Sequence, residues 1–170
     1  MSKIHKVYLA FHSDDIFYKE KFEEMFADDI VTKSVQEGDI SDTLSDDEIM
    51  RQIRENYLAD STVTVVLVGQ KTYRRKFVDW EIYSSLRQTI ANPRSGLVGI
   101  LLPTRNDYNT GRYDPSTVPA RLVDNNKTGF AKMYNWTTDE RSIIAMIDDA
   151  FRVRKDGTVD LSRPRMRRNI

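Results

Sequence analysis

Carboxylates, an aromatic ring and basic side chains crowd into one short stretch, Gly69–Glu81 (GQKTYRRKFVDWE). Lys71, Arg74, Arg75 and Lys76 precede two acids, Asp79 and Glu81, that fall in the first turns of a helix. The positive end of a helix dipole keeps a carboxylate there ionised. Phe77 stands four residues before Glu81, so the ring and the carboxylate share one helical face. Together they offer an anion for a developing cation, an apolar wall, and basic groups for phosphates. The same acids also suit the plain role of complementing the helix dipole, and spacing alone does not separate the two roles.

A second cluster, Phe11-His12-Ser13-Asp14-Asp15, leaves the first strand toward the same region. Ser13 or Asp14 suits the N-cap of the following helix, and His12 a loop hydrogen bond. Other chemistries lack their signatures. No G-x-G-x-x-G follows the first strand, no Walker lysine loop occurs, and no G-x-S-x-G elbow exists to present a serine. A phospho-acceptor receiver would use Asp14 and Asp15 but wants an aspartate closing the third strand, where the chain has Val68-Gly69-Gln70. Cysteine is absent and His5 and His12 are the only histidines, so no metal site or thiolate chemistry is expected.

The elements that must position these groups alternate along the chain. Lys6–Phe11 reads as a first strand, and Tyr18, Phe22, Met25 and Phe26 form a helical stripe. Ile30–Val35 is a weaker strand, followed by a polar loop over Gln36–Leu44. Ser45 with Glu48 makes a capping box opening a helix that buries Ile49, Ile53 and Tyr57. Thr62–Val68 is almost wholly β-branched, as suits a parallel strand covered on both faces. A helix is expected over Phe77–Ala91, with Val78, Ile82, Leu86 and Ile90 inward, then a buried strand at Leu97–Leu102. The polar stretch Thr104–Gly129 holds a short helix at Pro119–Asp124, and Ala131–Trp136 is a fifth strand. Thr137 and Glu140 make a second capping box, opening a helix that buries Ile143, Ile144, Ile147 and Phe151.

Such alternation predicts an α/β fold, a parallel sheet of about five strands with helices on both faces. In the flavodoxin-like order 2-1-3-4-5, ligands bind beyond the strand ends where the order reverses, between strands one and three. The chain of 170 residues, 39% hydrophobic and 31% charged, reads as one domain over residues 1–155 with a basic tail over 156–170. Residues 1–60 hold seven Lys/Arg against fifteen Asp/Glu, leaving a matching positive excess in the remainder. Arg163, Arg165, Arg167 and Arg168 supply half of it. Without interleaved aromatics they read as a solvated tail, and nucleic acid is not an expected partner. With no signal-peptide core and no long apolar run, the expected location is cytoplasmic, away from membranes.

These motifs carry a family resemblance. YLAFHSDD resembles the opening strand and turn of TIR domains, and VTVVLVGQKTYRRKFVDWEIYSSL resembles the third strand and helix of the TIR-like ThsB proteins of Thoeris anti-phage systems. LVGILLP resembles the fourth strand. The likeness spans most of residues 5–102. Many TIR domains carry Trp-Cys four residues before their glutamate; this chain has Phe77-Val78, with Trp80 beside the acid.

The resemblance implies a TIR-like fold and cleavage of NAD⁺ at the nicotinamide–ribose bond, with NAD⁺ as substrate rather than cofactor. It implies Glu81 as the catalytic carboxylate. Phe11 and Phe77 would wall the ribose, Arg74 or Arg75 would meet the diphosphate, and His12, Ser13 and Trp80 would line the region. Asp39 and Ser41 lie in the loop that borders the TIR site. The product would be a cyclic or conjugated ADP-ribose read by a nucleotide-sensing effector, with self-association and a phage-protein trigger. A non-catalytic adaptor on the same fold is the competing reading, and a deoxyribosyltransferase-like enzyme with a nucleophilic glutamate is a third.

Overall fold

The computed structural model describes residues 5–27, 30–35, 39–41, 43–89 and 93–170. Strands β1 (His5–Ala10), β2 (Ile30–Lys33), β3 (Val63–Val68), β4 (Gly96–Leu101) and β5 (Ala131–Asn135) form one parallel sheet in the order 2-1-3-4-5. Helices α1 (Ile16–Met25), α2 (Asp46–Gln52), α3 (Lys76–Leu86), α4 (Ala120–Lys127) and α5 (Glu140–Val153) make the crossovers. A π-helical turn, Ile53–Leu58, continues α2.

Side-chain alternation divides the core in two. Val7, Leu9, Val63, Val65, Leu67, Val98 and Ile100 face α1 and α5, meeting Phe22, Phe26, Ile143 and Ile147. Tyr8, Ala10, Val66, Val68, Leu97 and Leu101 face the other side, meeting Ile49, Ile53, Val78, Ile82, Leu86 and Leu122. Both faces of β3 are buried, which is why its sequence is continuously apolar. Gly96 lets α5 lie close on β4, since a Cβ there would stand 2.3 Å from the Ala150 carbonyl oxygen.

Local chemistry departs from the sequence expectations at three ends. Ser45 caps α2 as expected, accepting from the Glu48 amide at 3.2 Å. Asp139, not Thr137, stands at the N-cap of α5; Thr137 Oγ1 instead accepts from the Asp139 amide at 3.1 Å. Helix α3 stops at Leu86 because Arg87 turns extended, with the Ser95 amide on the Ser85 carbonyl and Arg94 Nε on that of Leu86. Ile90, expected on its buried face, lies outside the described residues.

The polar stretch after β4 is organised around Arg105. Its buried guanidinium bonds Asp107, the Thr117 carbonyl and hydroxyl, and the carbonyl of Gly69 at the exit of β3. The last residues leave Arg163, Arg167 and Arg168 exposed, as the solvated reading expects, while their main chain docks on the helices. Residues 156–170 run back over α4 and α3, where buried polar side chains of α4 and, on α3, Asp79 take main-chain partners. Arg121, fully buried on α4, donates to the Arg163 and Pro164 carbonyls, and Asn125 pairs with both polar groups of Asp160.

Candidate active site

Helix α3 descends from the β3 exit across the face of the sheet that carries Tyr8, and its acids point two ways. Asp79 turns toward α4 and the C-terminal segment. Its carboxylate takes Arg121 Nε at 2.9 Å and the Met166 amide at 2.8 Å. Glu81 turns toward β1, is only 3% exposed, and accepts a hydrogen bond from the fully buried Tyr8 hydroxyl. Burial pushes the Glu81 carboxyl up to about 8, against the pull of the Tyr8 hydrogen bond. Burial, reinforced by the neighbouring Glu81 charge, pushes the Tyr8 phenol well above its ordinary range.

The helix is pinned behind this carboxyl. Ser85 Oγ donates to the Glu81 carbonyl at 2.8 Å and pairs with Thr64 of β3 at 2.7 Å. Phe77 lies half-buried in the same apolar cluster as Tyr8, with Val35, Leu44 and Tyr57 at its margin and Ile40 and Met50 within it. The Tyr57 phenol is raised first by burial and then by the charge of Asp39, which brings the loop after β2 to this corner. The result is a carboxyl in an aromatic and aliphatic enclosure under the loop that follows β2. A carboxylate freed in such a place acts strongly on a cation, because little water screens it.

Of the residues singled out in the sequence, Glu81 and Phe77 share α3 on this side of the sheet, and Asp39 acts on Tyr57. Ser41 is exposed and bonds Thr43 within the same loop. Arg74 and Arg75 stand at the start of α3, Arg74 exposed with Nε on the Tyr73 hydroxyl at 3.0 Å. Phe11 does not join them. It continues the odd-numbered alternation of β1 and packs with the core on the opposite face of the sheet. Trp80 is also turned away, 2% exposed, its indole donating to the Met166 carbonyl at 2.8 Å. His12, rather than Ser13 or Asp14, caps the turn after β1, its Nδ1 accepting from the Asp14 amide at 2.9 Å, while Ser13 is exposed.

The sequence reading missed Tyr8, and it named Asp15 without anticipating its burial. Tyr8 sits mid-strand among apolar residues, where an aromatic reads as core; its even register with the Glu81 face was the available signal. Asp15 is 3% exposed beneath Gly69, where a Cβ would lie 2.0 Å from its Oδ2. Burial raises its carboxyl, and the Thr104 hydroxyl at 3.1 Å pulls the other way.

A sequence model of the TIR-like domain of the Thoeris protein ThsB matches residues 8–107, the span from Tyr8 through Glu81 to Asp107. The chain belongs to the Thoeris ThsB TIR-like family. The match takes in the parallel sheet through β4, the enclosed glutamate, and the loop after β2, and it ends within the Arg105-centred loop. No curated protein matches the chain. As a ThsB TIR-like domain, the chain sits in a Thoeris-type defence family. Among the described residues, no helix is long and apolar enough to cross a membrane.

Proposed function

We propose that this ThsB-family domain cleaves NAD⁺ at the nicotinamide–ribose bond, with Glu81 as the catalytic carboxylate. The observation that carries the reading is the carboxyl of Glu81 held in a dry enclosure beside Phe77 on the third crossover helix. The reaction asks little else of the protein. The C1′–N bond breaks with its electron pair passing to the pyridinium ring, so nicotinamide leaves neutral and no general acid is required. The ribose is left as an oxocarbenium-like centre, and one anion at short range stabilises it. A hydroxyl of the same ADP-ribose, or of a second acceptor, then adds to C1′ and loses its proton. An enclosure that excludes water favours that capture over hydrolysis. The product is a cyclic or conjugated ADP-ribose, sensed by a separate nucleotide-binding effector.

Arg74 and Arg75 stand where the diphosphate would meet the start of α3, and guanidinium suits phosphate oxygens. Because Glu81 is covered in the isolated chain, substrate reaches it only after that cover opens. Self-association or a phage protein would supply that opening. The same burial favours a second reading, a non-catalytic assembly module in which Glu81 is an interior group.

The test is incubation of concentrated protein with NAD⁺, with and without phage-infected lysate, beside Glu81→Gln. Nicotinamide release that depends on Glu81 is the expected result, and product mass separates hydrolysis from cyclisation or conjugation. Release equal in Glu81→Gln overturns the role of Glu81, and none under any condition overturns the reading in favour of the assembly module.

A further inference from the structure

Tyr8 spends a hydroxyl on a place that packing alone would fill with phenylalanine. The ring is fully buried in the cluster of Ala10, Val66 and Val68, and the hydroxyl reaches the carboxyl of Glu81 across 73 positions of sequence. A phenol taken from water with no partner would be costly, so the hydrogen bond accounts for the hydroxyl. It also fixes the rotation of the carboxyl, since α3 itself is already locked by Ser85 and Thr64.

We propose that Tyr8 is a positioning residue for Glu81: its hydroxyl, rising from β1, orients the carboxyl and favours its anionic form. A donor aimed at a carboxylate stabilises the charged state over the neutral one. Few other groups face this carboxyl. From the π-helical turn comes Tyr57, and from the loop after β2 comes Asp39, whose charge acts on Tyr57. The partners that β3 and α2 offer to this stretch of α3, Thr64 on Ser85 and Met50 on Ser84, are both uncharged. On α4, Arg121 is taken by Asp79 on the other side of the helix. Strand β4 (GLVGIL) carries no ionisable side chain. Tyr8 is thus the donor that opposes the effect of burial at Glu81.

The proposal rests on Glu81 being the catalytic group, yet its first test needs no turnover. In protein carrying ¹³C-carboxyl glutamate, the Glu81 resonance is identified by its loss in Glu81→Gln and titrated from pH 5 to 10. In Tyr8→Phe the midpoint rises. Site-specific 3-fluorotyrosine at position 8, a stronger donor, lowers it; this second variant also guards against a Tyr8→Phe chain that fails to fold. Where NAD⁺ is cleaved, Tyr8→Phe lowers kcat about tenfold at pH 7, with KM little changed, and the loss narrows toward pH 9. An unmoved midpoint in both variants, or a loss of rate equal at every pH, overturns the role. A midpoint that moves in a protein inert toward NAD⁺ keeps the Tyr8–Glu81 coupling and defeats the NAD⁺ reading instead.

Discussion

Asp79 and Glu81, two residues apart on α3, are held by opposite kinds of surroundings. Asp79 is paired with the buried guanidinium of Arg121 and the Met166 amide, whereas Glu81, among the described residues, bonds the Tyr8 phenol and no cation. One acid ties the helix to α4 and the C-terminal segment, and the other is enclosed with Tyr8.

Breaking the anchor therefore costs more than altering the reactive acid. Asp79→Ala leaves the Arg121 guanidinium buried beside an apolar gap and the Met166 amide unpaired, a loss of about 3–5 kcal/mol. Urea unfolding measures it. A change below about 1 kcal/mol would mean that water or another acceptor replaces the carboxylate.

Glu81→Gln acts in the other direction, and its effect depends on pH. The folded-state carboxyl titrates near 8, above the ordinary value of 4.5, so between these values the folded chain binds a proton that the unfolded chain has released. Stability is full below about 4.5, falls as pH rises, and levels off above about 8, by roughly 1.4 kcal/mol for each unit crossed. Glu81→Gln removes this decline, so its unfolding midpoint exceeds that of the native sequence at pH 8 and approaches it at pH 5. Parallel stability curves across that range would show that the carboxyl is not shielded in solution.

If the proposed reaction holds, the same titration sets the rate of NAD⁺ cleavage. With the carboxyl near 8, about a tenth of the free enzyme carries the anion at pH 7. Under the proposed reaction kcat/KM climbs close to tenfold from pH 6 to 7 and flattens above about 8. A profile already flat at pH 6 would mean that the reactive state holds Glu81 as an ordinary exposed acid.

Gly69→Ala tests the packing at the strand ends. The added methyl would lie 2.0 Å from Asp15 Oδ2, so the carboxylate must leave its place under β3 and its bond to Thr104. The expected cost is about 1–3 kcal/mol, reduced when Asp15→Ala is combined with it. A double-mutant cycle of thermal unfolding reads the coupling, and simple additivity would count against the contact.

Deleting residues 163–170 uncovers Trp80. The chain has two tryptophans, so the experiment uses a Trp136→Phe background, in which emission comes from Trp80 alone. Loss of the Met166 carbonyl and of the Arg165 cation near the indole, with Lys76 left in place, shifts that emission to the red. An unshifted spectrum would mean that the segment does not cover the indole in solution.

The order of strands and the helix carrying Glu81 were legible because they rest on local patterns. The β-branched run of β3 and the apolar residues spaced by four on α3 each have one structural solution. What escaped depends on residues far apart in sequence. Phe11 was misplaced because its role depends on strand parity, which puts it across the sheet from Glu81. Trp80 looked like part of the site because it adjoins Glu81, yet neighbours on a helix point about 100° apart. The arginine-rich end read as solvated because its hydrogen bonds come from the main chain, and main-chain groups leave no mark in composition. Tyr8 was hidden by its company, since nothing in an apolar strand marks which hydroxyl will find a carboxyl.

The covering of α3 by the chain's last residues also imposes an order in time. Asp79 and Met166 lie 87 positions apart, and a ribosome adding 5–20 residues each second takes roughly 4–17 seconds between them. Throughout that interval α3 has its inner face available to the sheet and its outer indole bare. Maturation of the helix thus waits on residues 163–170, and a growing chain stalled before residue 163 displays Trp80 to whatever binds exposed aromatic surface.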